Sequence, residues 1–332
     1  TTASVDASVF NGISNVIANL TDGGVTTLTE TAADFAEVNT ALTGGVLNGN
    51  EAVTITGDIT AVNVSTILNN TSGVVTATIS SDTAANLNSN LTNTSGNDAL
   101  TLTVTNTPTD AADLVALNGK TNQQINLSAV TVISGDASEL IDVYVTNIAD
   151  YSGLGNEAVS VDNTSSAADV NTIATATSGV VTATITNGAV SSTLAAITAV
   201  DVNDVITFTT TDSSVDASDL VDLAAKVDTF TTTSVNTITE AYNTVALTTE
   251  ITDALEIVPN AAVTVTGGSI TTTNANTIDG LTTGVVTASI SETDASTLAT
   301  VTDANGNNDY TATITTASVD ASVFNGISNV IA

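Results

Sequence analysis

Short alternations of apolar and polar residues recur along this chain. In Val75-Thr76-Ala77-Thr78-Ile79, valine, alanine and isoleucine share one face and threonine takes the other. That is the period-two pattern of a strand with one buried side. Leu100 to Val104, Val205 to Thr209, Val263 to Thr266 and Tyr310 to Ile314 follow the same rule. Between the alternations sit segments of another kind: DAADLVAL from Asp110, DASDLVDL from Asp216, and DASVF from Asp6 and from Asp320. Their aspartate is placed to cap a helical turn, and their apolar residues, three apart, cover one side of it. Asn118-Gly119, Asn187-Gly188 and Asn305-Gly306 mark corners.

These patterns recur on three scales. The first 18 residues, TTASVDASVFNGISNVIA, return unchanged as Thr315 to Ala332, an offset of 314. Within that span three copies of about 105 residues are legible: TSGVVTATIS from Thr71 reappears as TSGVVTATIT from Thr177 and TTGVVTASIS from Thr282. GNEAV at Gly49 returns at Gly155 and, altered, as PNAAV from Pro259; Lys120 and Lys226 hold equivalent positions. The boundaries fall at residues 1–109, 110–215 and 216–314, with 315–332 beginning the next unit. Each copy divides into four coils, on a pattern of a small residue followed by two apolar residues at three-residue steps. It places an apolar residue at Phe10, Phe35, Val64, Leu87, Leu114, Leu140, Val170, Leu194, Leu220, Val245, Ala275, Leu298 and Phe324. The spacing averages about 26 residues, within the range of stacked repeats.

One strand and one helical turn bury too little surface alone, whereas stacked coils share a core. The expected fold is a mainly parallel, right-handed β-solenoid with one clear strand plus a short helical turn per coil. The alternative is a string of β-sandwich modules of about 105 residues each. Neither end of the sequence carries a polar capping element, so either the array continues covalently or its edges pair with identical units. The chain opens at Thr1 without methionine, which reads as a processed product or an interior fragment.

Composition narrows the function. Two lysines face 35 acidic residues, for a formal charge of −33, while apolar residues still make up 42%, enough for a core. Binding to nucleic acid or anionic lipid needs a cationic face, which two lysines cannot supply. Arginine, histidine and cysteine are absent, removing the usual general bases, nucleophiles and phosphate clamps. Paired carboxylates remain, yet the aspartates recur at equivalent coil positions, as caps do and an active site does not. No catalytic, cofactor-binding or metal-ligating residue stands out, and the chain reads as a non-enzyme. Diffuse binding of Ca2+ or other cations is compatible with the acidic surface, but no D-x-D-x-D-G loop or phosphate-binding glycine loop occurs. No apolar run reaches membrane-spanning length and no signal peptide is visible. Outward threonines (Thr76 with Thr78, Thr101 with Thr103, Thr182 with Thr184, Thr311 with Thr313) would form the regular lattice of an ice-binding face, or simply ladder as good strand residues.

The segments DAADLVALNGKTN, DYSGLGNEAVS and TSGVVTATIS resemble those of the giant tandem-repeat cell-surface proteins of marine picocyanobacteria. That group includes the very large surface protein implicated in swimming motility, and many of its members are described only as β-strand repeat proteins. The resemblance implies secretion, a cell-surface or matrix location and a structural role. It carries over no catalytic residue. The glycine-rich calcium nonapeptide of many secreted bacterial repeat proteins is missing, which argues against calcium-dependent folding. The function expected is therefore structural: an extracellular filament, sheath or surface layer, with a rigid adhesin stalk as the nearest competitor.

Overall fold

A computed structural model of the chain describes residues 3–17, 19–21, 23–105, 108–242 and 247–328. Two compact units emerge: residues 1–163 with 172–182, and residues 164–171 with 183–332.

In the first unit, strands alternate with helices: β1 (Ser4–Asp6), α1 (Ala7–Ser14), β2 (Thr27–Thr31), α2 (Ala36–Thr43), β3 (Ala52–Ile59), α3 (Ala61–Leu68), β4 (Val75–Ile79), α4 (Ala84–Asn90) and β5 (Ala99–Thr101). The strands pair in sequence order, all parallel. Register stacks Val5, Leu28, Val53 and Val75 in one inward column. The alternation continues through β6 (Thr109–Asp110), α5 (Ala111–Asn118), β7 (Ile125–Asn126), β8 (Val132–Gly135), α6 (Ala137–Ile141), β9 (Tyr151–Ser152) and β10 (Ala158–Ser165). Here β8 lies between β6 and β10, and β7 pairs with β9 and bridges through Asn126 to Thr103. By sequence, α7 (Ala167–Ala176) and β11 (Val181–Ile185) are divided between the units.

The second unit holds α8 (Val190–Ala196), β12 (Val205–Thr209), β13 (Ser214–Asp216), α9 (Ala217–Ala224), β14 (Thr229–Thr231), β15 (Thr237–Ala241), α10 (Leu247–Ile257) and β16 (Ala262–Ile270). It ends with α11 (Thr272–Asp279), β17 (Val286–Ile290), α12 (Ala295–Leu298), β18 (Asp309–Thr311) and α13 (Ala321–Ser328). β12 pairs with β14, and β13-β15-β16-β17-β18 form a parallel sheet with the inward column Val215, Ile238, Val263 and Val286.

This architecture corrects the expected one. The chain is a parallel α/β protein with several sheets and, among the described residues, thirteen helices; it is neither one continuous β-solenoid nor a set of sandwiches. Sandwiches would need antiparallel pairs, and every pairing recorded is parallel. The short helical turn was an underestimate. Strands five residues long at spacings near 26 leave about 20 residues per crossover, and a helix satisfies a crossover's backbone groups internally. DAADLVALN supplies a cap followed by strong helix formers, so α5 runs eight residues, with Ala111, Leu114 and Leu117 buried. The single ladder fails where its hydrogen bonds fail: beyond β5 the pairing thins to isolated bridges at Thr103 and Val104, just before Pro108, which has no N–H to donate.

The apolar positions of the coil pattern are buried at Phe10, Val64, Leu87, Leu114, Leu140, Val170, Leu220, Ala275 and Leu298. Phe35 and Leu194 are only half-buried; Val38 and Thr193 turn inward instead. Val245 lies outside the described residues. Phe324, expected inside, is exposed. Of the alternating segments, 75–79 and 205–209 are strands over their full length, whereas 310–314 is strand only to Thr311.

Candidate functional surfaces

The most strongly recurring sequence, TSGVVTAT, is a folding device. Thr71 Oγ1 donates to the Glu51 carbonyl (2.6 Å) and accepts from the Gly73 amide (2.9 Å). Thr177 and Thr282 repeat both bonds, to Glu157 and Gly179 and to Ala261 and Gly284. The glycine is obligatory because a Cβ there would lie 2.3 Å from the Glu51 carbonyl oxygen at Gly73, 2.0 Å from that of Glu157 at Gly179 and 2.4 Å from that of Ala261 at Gly284. The GNEAV motif serves the preceding turn. The buried Glu51 carboxylate accepts from the Asn48 and Gly49 amides (2.8 and 2.9 Å). Glu157 Oε2 accepts from the Gly155 and Asn156 amides and the Tyr144 hydroxyl (2.8, 3.2 and 3.1 Å). Burial, then the Glu157 charge, pushes the Tyr144 hydroxyl far up.

The recurring aspartates sit at helix N-termini. Asp6 accepts from Val9 (3.0 Å), Asp110 from Ala112 (2.8 Å), Asp216 from Ser218 (3.2 Å) and Asp320 from Ser322 (2.8 Å). Each satisfies an amide that a helix start leaves without an internal partner. At Asp6, Asp294 and Asp320 the hydroxyl of the serine two residues on, chiefly, holds the carboxyl below its ordinary range.

Both lysines are held by backbone carbonyls, Lys120 at the opposite end of a helix and Lys226 in a loop. Lys120 Nζ donates to the Asn88 and Leu91 carbonyls at the end of α4 (2.8 and 2.6 Å), and partial burial lowers its pKa. Lys226 Nζ donates to the Val200 carbonyl beyond α8 (2.8 Å). Cations engaged by backbone carbonyls in this way offer little to an anionic ligand.

The nearest approach to chemistry is an acidic corner around α9. Glu240 is buried, with Oε1 accepting from the Ala241 amide (2.9 Å); burial first, then Asp216 and Glu250, raise its pKa. Asp219 is raised likewise, by desolvation and by Asp216 and Asp222. Asp216 is committed to capping, however, and among the described residues no three acidic side chains are grouped to hold a metal ion. Nothing here pairs a general acid with a base across an open cleft.

The threonines lie where the alternation puts them. Thr76, Thr78, Thr101, Thr182, Thr184, Thr311 and Thr313 are exposed, and Thr103 is half-buried. Thr29, Thr54 and Thr76 are in register, but the row ends at Ala99. A register shift between Thr54 and Asp58, with Gly57 at φ 82°, bends the next row. A flat lattice is therefore limited to a few strands.

One comparison within the chain is more telling. α1 and α13 have the same sequence, ASVFNGIS, but bury different faces. Phe10 is 6% exposed against α2, and Asn11 Nδ2 donates to the Glu37 carbonyl (2.9 Å) and carboxylate (2.6 Å). Ile13 on the same helix is 42% exposed. In α13 the pattern reverses: Phe324 is 52% exposed, whereas Ile327 is 5% exposed and α13 lies against α12. Thr315 and Thr316 bond to Thr293 and to the Ala295 amide at the start of α12 (3.0 Å each). α3, flanked by α2 and α4, shows the complete pattern: Val64, Ser65 and Ile67, equivalent to Phe10, Asn11 and Ile13, are all buried. No helix of the described residues is long and apolar enough to cross a membrane.

Compared with protein-family models, curated proteins and solved structures, the chain matches none.

Proposed function

We propose that this chain is a structural protein of an extracellular filament, sheath or surface layer, built by end-to-end continuation of acidic strand–helix units. The observation that carries the reading is the paired environment of ASVFNGIS: one sequence makes half of a helix–helix junction at α1 and the other half at α13. A protein that works by extending itself needs such a joint; an enzyme does not. The recurring aspartates, lysines and TSG turns support the same reading, since their polar groups serve internal caps and turns. The charge of −33 disfavours close approach of copies in dilute buffer and relaxes in salt, where the screening length falls from about 8 Å at physiological ionic strength to about 3 Å at 1 M. Secretion and a cell-surface location rest on the resemblance to picocyanobacterial surface proteins.

Electron microscopy of the purified chain in high salt tests the proposal. Ordered fibres with an axial repeat support it. Monodisperse rods at every concentration would instead favour a stalk that holds a binding tip away from the cell.

A further inference from the structure

The groove that holds Phe10 can be defined from the residues around it. It is the face of α2 on which Phe10 packs, and beside it lies an open cleft of about 310 Å³ lined by Phe10, Asn11, Ile17 and Leu20 on one side and Ala41 and Val46 on the other. Its polar clamp is Glu37, which takes the Asn11 amide through both its backbone carbonyl and its carboxylate. Its backbone edge is β2, which pairs with β1 through Val5 and Leu28, while the Thr26 and Thr27 amides donate to the Ala3 carbonyl (2.9 and 3.0 Å).

Every residue of residues 3–14 that enters this groove is present again at 317–328. There the strand does not form: Ser318–Asp320, identical to β1, have no strand partner among the described residues, and Phe324 lies open. The two copies are thus chemically equal claimants to one site, of which one occupies it and the other leaves its apolar face exposed.

Resting on the structural reading above, we propose that a second copy of this chain covers the α13 face: its β2–α2 groove releases its own β1–α1 segment and accepts residues 317–328 in its place. The occupant follows from identity, because the incoming segment brings the same phenylalanine, asparagine and strand as the segment it displaces. Nothing need be created except an exchange of equals. The number of buried faces is unchanged, because the freed Phe10 loses α2 as Phe324 gains it, while Ile327 stays against α12. That reproduces around α13 the two-sided burial seen at α3. The exchanged chain in turn has a freed β1–α1 segment, and its own residues 317–328 are available to the next, so the exchange propagates in one direction.

The test uses full-length chains and exploits the absence of cysteine. One preparation carries Thr40→Cys, the other Ser328→Cys, the equivalent of Ser14, which lines one cleft with Thr40; Glu37 and Asn325 are left intact, and the two are mixed in high salt and treated with a short bis-maleimide. A cross-linked heterodimer is expected, with residue 40 joined to residue 328 by peptide mapping. Phe324→Ala in the second chain should abolish it. Phe10→Ala in the first chain, which loosens the resident segment, should increase its yield several-fold. Because Phe10→Ala could instead unfold the edge, circular dichroism of that variant and restoration of the unlinked state by adding Phe324→Ala to its partner keep the comparison decisive. Absence of the 40–328 link, or a link indifferent to Phe324, overturns the exchange. Fibres that form without that link would sink it while leaving the filament reading standing. A link without fibres would uphold the exchange and remove the filament.

Discussion

Single residues here are best understood by what their atoms touch. Gly73 is a clear case: its α-hydrogen faces the Glu51 carbonyl where no methyl group fits. Gly73→Ala is expected to cost about 1–3 kcal/mol, from backbone displacement. Gly12, inside α1 with open space around it, is the matched control: Gly12→Ala should add about 0.5–1 kcal/mol through helix propensity alone. Urea titration of both variants checks the pair, and equal effects would show that the close approach is not what selects glycine. Glu240 makes a prediction about pH. Its raised pKa means that the folded chain holds this proton to higher pH than the unfolded chain does. The stability linked to it is fully present below the ordinary value of 4.5 and is lost as the pH rises through the raised value. Glu240→Gln cannot ionise, so it should raise the unfolding midpoint at pH 7 and leave it unchanged below 4.5. Asp6, Asp294 and Asp320 have the opposite sign. Their contribution is present above 3.8 and lost as the pH falls through their lowered values.

Elements follow from how many neighbours each one finds. α1 and α13 provide the sharpest contrast, because sequence, cap and length are the same and only the packing differs. In chains kept dilute and monomeric, Phe10→Ala should cost about 3–5 kcal/mol, as for a buried aromatic, whereas Phe324→Ala should stay within about 0.5 kcal/mol. Thermal melts of the two variants measure this, and similar losses would contradict the burial pattern. Helix ends obey the same logic. Lys120→Met leaves the Asn88 and Leu91 carbonyls without their ammonium partner, and a loss of about 1–2 kcal/mol is expected. The helices also explain why a strand-centred reading of the sequence fell short. Alternation over five residues is conspicuous. A helix whose buried positions are threonine, alanine, isoleucine and aspartate, as in α11, has a faint apolar stripe, so its extent shows only once its cap and its neighbours are in place.

For the whole molecule, charge sets the conditions. With 35 acidic residues against two lysines, electrostatic self-repulsion opposes the compact state, and salt relieves it without any specific ion. The melting temperature should therefore rise steadily with sodium chloride. Calcium and magnesium should act alike at equal ionic strength, consistent with the lack of a grouped carboxylate site among the described residues. A calcium effect that saturates at low concentration would contradict diffuse binding. The two compact units share a plan: parallel strands, a helix after most of them, and inward columns of valine, leucine and isoleucine.

The sequence by itself determined what depends on a residue and its nearest neighbours. Alternation located the strands at 75–79 and 205–209, and the aspartates of the DAxxL segments marked helix starts. Local geometry and side-chain chemistry suffice for each of these. Tertiary structure decided whatever needs a partner distant in the chain. Sheet boundaries, the burial of Val38 in place of Phe35, and the engagement of both lysines depend on which carbonyl or side chain arrives from another element. Residues 4–6 and 318–320 show the division most plainly. The same three amino acids form a strand where β2 meets them and none where no strand does, because a β-strand, unlike a helix, has its hydrogen bonds in its neighbour.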